Sequence, residues 1–144
     1  MRGLIINIYL LIGAYQDGKT TKIKNWYLWL GIFGAIICKI IDILTVKNSL
    51  NFWLINMIPG TIFLVIAKMG KESIGDGDGW LLLILGNCFW GMRIWEVFYL
   101  SVILLSLFSL WMIIRKQGNR KTQIPYIPFL WLADTMLWGL QYVL

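Results

Sequence analysis

Apolar residues in this chain neither alternate nor keep to one face of a helical repeat. They run in nearly unbroken blocks, at 3–16, 26–44, 50–67, 80–92, 95–114 and 125–144, with short polar breaks between them. A helix apolar on all sides is either a buried core helix or a membrane span. Six such blocks with almost no polar face between them predict an all-α, polytopic membrane protein of about six transmembrane helices. The composition agrees: 59% of the 144 residues are hydrophobic, with nine tryptophans, and the mean hydropathy is +0.73. With no internal repeat and no low-complexity linker, residues 1–144 are expected to form a single transmembrane domain. The opening Met1-Arg2-Gly3 and its apolar run have the shape of a signal peptide, but no small-x-small cleavage site follows. That segment is read as a retained first helix.

The net charge of +6 does not suggest a nucleic-acid partner, because the basic residues are scattered through the breaks. Lys19, Lys22, Lys24, Lys68, Lys71, Arg115, Lys116, Arg120 and Lys121 fall in three alternate breaks, so nine of the thirteen basic residues belong to one side. Positive residues collect on the cytoplasmic side, which predicts that both chain ends point outward. Arg2 argues weakly against this and is outnumbered. Tryptophans near block ends, such as Trp26, Trp53, Trp80 and Trp95, read as interfacial anchors.

Two carboxylates change this picture of a plain membrane bundle. Asp17 ends the first apolar block and Asp78 precedes the fourth, and the topology sets both on the cytoplasmic side. The two blocks are short, and thirteen or fourteen helical residues rise only about 20 Å against a hydrocarbon core of roughly 30 Å. Both aspartates are therefore expected slightly below the membrane surface, where a charge is expensive and usually functional. Two carboxyls held together there can share a proton and activate water, as aspartic proteases do. Histidine is absent, and the two cysteines, Cys38 and Cys88, lie inside apolar blocks without metal-ligand spacing. No metal site and no cofactor is expected.

The residues around these aspartates resemble the type IV prepilin and preflagellin peptidases, aspartyl proteases of prokaryotic membranes. The first stretch runs from Asp17 through Ile23, Lys24 and Asn25 to Trp26, similar to the family's Asp, five residues, then Ile-Pro-Asn. The second is Gly75-Asp76-Gly77-Asp78-Gly79-Trp80-Leu81 with Gly86 after it, similar to Gly-x-Gly-Asp-x-Lys-Leu. The third is Ile124-Pro125-Tyr126-Ile127-Pro128-Phe129-Leu130, similar to the Pro-x-x-Pro-Phe-Leu that opens the family's last helix. Lys24 stands where the family has proline, and Trp80 where it has lysine. The resemblance implies Asp17 and Asp78 as the catalytic pair, supported by Gly75, Gly77, Asn25, Pro125 and Pro128. It also implies a pilin-like precursor as partner, with a short basic leader before an apolar helix. Cleavage would take place at the cytoplasmic face of the inner membrane. The tetracysteine segment and methyltransferase portion of the long enzymes have no counterpart here, so the short, peptidase-only form is expected.

Taken alone, a Gly/Asp run is a turn between two spans. In the catalytic reading, Gly75 and Gly77 would supply positive φ angles and close approach, turning the loop so that Asp78 points inward. Asp76 fills the family's variable position and is ranked a secondary neighbour. Asp42 lies one helical turn from Lys39, and Glu96 one turn from Arg93, spacings that suit ion pairs. Asp134, deep in the last block, could stay protonated, bond to a neighbouring helix or touch substrate. Two other functional classes remain. One is a non-enzymatic membrane subunit, such as the substrate-binding component of a transporter; the other is an inactive relative that binds leaders without cutting them.

Overall fold

A computed structural model describes residues 2–20, 23–45, 49–69, 76–89, 91–115 and 124–143. They form α1 (Arg2–Thr20), α2 (Asn25–Thr45), α3 (Ser49–Met69), α4 (Asp76–Cys88), α5 (Arg93–Ile114) and α6 (Ile127–Val143). The described residues are thus all helical apart from short connections, one helix for each apolar block. Two helices, Asn25–Thr45 and Arg93–Ile114, are long and apolar enough to cross a membrane, and Trp53–Met69 is a shorter apolar helix.

Helix α4 is the centre of the assembly. Leu81, Leu82 and Leu85 are completely or almost completely buried, although α4 has only thirteen residues. It packs against α3 and α2, while α6 packs against α1 and α5. Glycine allows α3 and α4 to approach closely, as small residues do where helices cannot rely on side-chain hydrophobicity alone. A Cβ on Gly60 would lie 2.7 Å from the Leu83 backbone nitrogen, and one on Gly86 would strike the Asn56 carbonyl. The Asn56 side chain donates to the Gly91 carbonyl at 2.8 Å, just beyond the end of α4. Gly91, between α4 and α5, has a φ of +62°, a left-handed conformation that costs glycine no Cβ penalty.

Helices α1 and α2 are stapled by two tyrosines. The Tyr9 and Tyr27 rings stack at 4.3 Å with 4° between their planes. Each hydroxyl donates to the other residue's carbonyl, Tyr27 at 2.7 Å and Tyr9 at 3.2 Å. The outward surfaces of the bundle are strongly apolar, with Trp29, Phe33 and Leu44 among the most exposed side chains.

Side-chain contacts fix the alternation of the helices. At one end Arg2, opening α1, meets Asp42 near the end of α2, and Arg93, opening α5, donates to Gln141 near the end of α6 at 2.7 Å. At the other end the close of α1 meets the opening of α6, where Asp17 accepts from the Ile127 backbone.

Candidate functional site

The site grows from that second end. The sequence pattern ended the first helix at residue 16, but α1 continues to Thr20, so Asp17 lies within its last turn. The continuation has local support, since the Thr20 hydroxyl donates to the Gln16 carbonyl at 2.8 Å. Asp17 is 5% exposed, and its Oδ2 accepts the Ile127 N–H at 3.1 Å. The carboxylate thus sits at the amino end of α6, where unsatisfied N–H groups and the helix dipole favour negative charge.

The segment from Ile124 to Leu130 is built for that role. Tyr126 stands just ahead of the helix, and its carbonyl accepts from the Phe129 and Leu130 amides at 3.0 and 3.3 Å. Pro128 lies in the first turn, where a missing N–H removes no helical bond. The Tyr126 side chain is buried, its hydroxyl 2.8 Å from the Ser101 hydroxyl on α5 and its ring stacked 5.0 Å from Phe63 on α3.

Asp78 enters from the first turn of α4. Gly77 is helical and does not adopt the positive φ expected of it; among the described residues only Gly91 does so. Close approach is what Gly77 provides. A Cβ there would lie 2.7 Å from the end of the Ile23 side chain, which precedes α2. Gly79 makes a similar contact, 2.7 Å from Leu64 on α3. Gly75 lies outside the described residues, as does the Asp76 side chain, although Asp76 opens the helix. Asn25 opens α2 exposed to solvent, after Lys24, whose carbonyl accepts the Tyr27 amide at 3.0 Å. Pro125 and Pro128 are half-buried on either side of Tyr126 and Ile127. The three sequence stretches therefore converge: Ile23 packs on Gly77, and Asp17 bonds to Ile127.

Asp17 and Asp78 lie just outside the apolar blocks, and each feels its surroundings differently. Asp17 accepts the Ile127 amide, a bond that favours its charged form. Nothing comparable acts on Asp78 among the described residues. Environments that separate two carboxyls in this way favour one ionised and one protonated group at neutral pH. Among the described residues no three His, Cys, Asp or Glu side chains gather as metal ligands would.

The remaining acidic residues are engaged elsewhere. Asp42 is not paired with Lys39; it accepts from both terminal guanidinium nitrogens of Arg2, at 2.7 and 3.0 Å. Lys39 instead lies over the Trp53 ring, 5.0 Å from its centre. Asp134, 1% exposed, pairs with Arg93 at 3.2 Å, so Arg93 is not held by Glu96. Its second oxygen accepts from Asn7 at 3.2 Å, and the Asn7 oxygen accepts from the Trp131 indole at 3.2 Å. Of the readings open to Asp134, bonding to neighbouring helices is the one seen. Ser101 drew no notice in the sequence, since a serine in an apolar run carries no signal of its partner.

A helical bundle with two carboxylates gathered at one end is the class that fold and site define. Among curated proteins, the chain is similar to one from Haemophilus influenzae described as prepilin leader peptidase/N-methyltransferase. The two are 32% identical over 130 residues, covering 89% of this chain and 53% of that protein. The chain thus spans about half the length of the curated relative it matches. No family model matches the chain and no solved structure matches it.

Proposed function

We propose that the chain is a single, polytopic membrane domain acting as an aspartyl endopeptidase, and that it cuts the leader from pilin-like precursors at the cytoplasmic face of a prokaryotic inner membrane. Asp17 and Asp78 form the catalytic pair. The convergence of the three stretches at one end carries this reading: Ile23 packs on Gly77, next to Asp78, and Asp17 bonds to Ile127. The likeness to a prepilin leader peptidase supports the substrate class. The apolar exterior supports a lipid surround. By helical rise, Asp17 stands about 22 Å along α1 from Arg2, short of a core of roughly 30 Å. Both carboxyls then lie in a recess just below the cytoplasmic surface.

In the reaction, the ionised carboxylate takes a proton from a water positioned between the pair. The protonated carboxyl donates a hydrogen bond to the scissile carbonyl and stabilises the oxyanion that forms. Collapse of the tetrahedral intermediate expels the amine, which collects the proton. The leader must be extended here, because a helix would hide its own peptide bond. Asp134, held between Arg93 and Asn7, takes no part in these steps.

Co-expression with a pilin-like precursor tests the proposal. Asp17→Asn and Asp78→Asn should each reduce cleavage by about a hundredfold or more, the usual worth of a positioned acid or base. Asp76→Asn should cleave as wild type does. Cleavage that survives both catalytic substitutions would remove the dyad. A wild-type protein that binds leaders and never cuts them would identify an inactive relative.

A further inference from the structure

The proposed reaction needs two carboxyls with different duties, and the surroundings of α6 differentiate them. We propose that the buried Ser101–Tyr126 hydroxyl pair is a positioning element: it pins the amino end of α6 against Asp17 and so makes Asp17 the ionised base and Asp78 the acid. This inference rests on the peptidase reading for its reaction, though the order in which the two carboxyls ionise is independent of it.

Tyr126 is tied at three points. Its hydroxyl is 2.8 Å from the Ser101 hydroxyl, its ring stacks on Phe63, and its carbonyl receives the first helical amides of α6. Ser101 is fully buried and also donates to the Phe98 carbonyl at 2.8 Å. With one hydroxyl proton engaged there, Ser101 accepts from Tyr126, which fixes the phenol's direction. The Tyr126 backbone consequently has one position, and the N–H of Ile127, the next residue, points at Asp17 Oδ2. A carboxylate accepting backbone N–H bonds is stabilised in its charged form. Asp78 has no helix amino end but its own, from within the first turn, and it is left to desolvation.

Among the described residues, the titratable side chain set against the pair is Tyr126, ahead of α6. Lys19, one residue beyond Gly18 on α1, is exposed. Helix α5 contributes the neutral Ser101, and α3 the Phe63 ring. Neither Ser101 nor Tyr126 touches substrate in this scheme; both act through the backbone of α6.

The test follows the titration of Asp17 and Asp78 by ¹³C-carboxyl NMR of the detergent-solubilised full chain, alongside the pH profile of leader cleavage. Wild type should ionise Asp17 first. Ser101→Ala and Tyr126→Phe should each move the Asp17 titration, and the acid limb of kcat/KM, upward by about half a pH unit or more, since a loosened amide no longer favours the carboxylate. Ser101→Thr keeps the hydroxyl and should restore both. Helix content by circular dichroism identifies any variant that has unfolded, and Ser101→Thr then decides alone: its Asp17 titration must match wild type. Asp78 ionising before Asp17, or an Asp17 titration unmoved in folded Ser101→Ala and Tyr126→Phe, would overturn the proposal. If no leader is cut by any form, the peptidase reading fails, and the NMR order still decides this one.

Discussion

At the scale of single residues, two glycines separate tolerance from failure. A methyl at Gly77 would meet the flexible end of Ile23, whereas at Gly86 it would meet the Asn56 carbonyl, which cannot turn aside. Overpacking generally costs about 1–3 kcal/mol. Gly86→Ala should lie at the upper end and Gly77→Ala at the lower, as measured by thermal unfolding in detergent. Asp134→Ala strands Arg93, most of whose side chain is buried. Removing one partner of a buried ion pair costs about 3–5 kcal/mol, and the residual exposure of Arg93 puts this case at the low end. Asp134→Asn keeps two hydrogen-bonding atoms and should cost less. Leader cleavage by folded Asp134→Asn should stay near the wild-type level. The same scale governs the pH response. In the proposed reaction one carboxyl lacks its proton and the other keeps it, so the rate should rise as Asp17 ionises and fall as Asp78 does. The acid limb of kcat/KM should then report Asp17 and the alkaline limb Asp78.

At the scale of elements, the number of helices was readable from the apolar blocks, and their ends were less so. A polar Asp-Gly-Lys-Thr run looks like a break, yet α1 carries it for another turn because α6 supplies a partner for Asp17. In the same way the Gly-Asp-Gly run looks like a loop, yet α4 begins inside it, and its glycines leave room for Ile23 and Leu64, which a side chain there would strike. The ion pairs differ from those the spacing predicts for one physical reason. Sequence spacing reveals neighbours one helical turn apart, whereas Asp42 and Asp134 are held by arginines forty and forty-one residues away. Those partners follow from which helices lie side by side, and local pattern does not encode that. The two catalytic candidates were legible because a carboxylate beside an apolar block is conspicuous. Their shared support, Tyr126 on Ser101, was not, because neither residue is unusual where it stands. Shortening the connection between α5 and α6 should therefore disturb cleavage more than an equal change between α2 and α3. Only the former bears on the amino end of α6. Cleavage rates of paired two-residue deletions, with helix content as control, check this.

At the scale of the whole molecule, the alternation of helices sets a topology that can be measured. With Cys38 and Cys88 replaced by serine, Lys24→Cys should react with an impermeant maleimide only from the cytoplasmic side, and Gln141→Cys only from the outer side. The opposite pattern would invert the bundle and move the carboxyl pair to the outer face. The Tyr9–Tyr27 staple and the α3–α4 glycine contacts join near neighbours in the chain. The bond from Asp17 to Ile127 spans 110 residues and closes the bundle. It has a consequence for how the protein is made. Asp17 and Asp78 both leave the ribosome before the Ile127 amide that Asp17 accepts, so a chain broken off between α5 and α6 would carry both acids without that bond and, on the reading proposed above, would be inert.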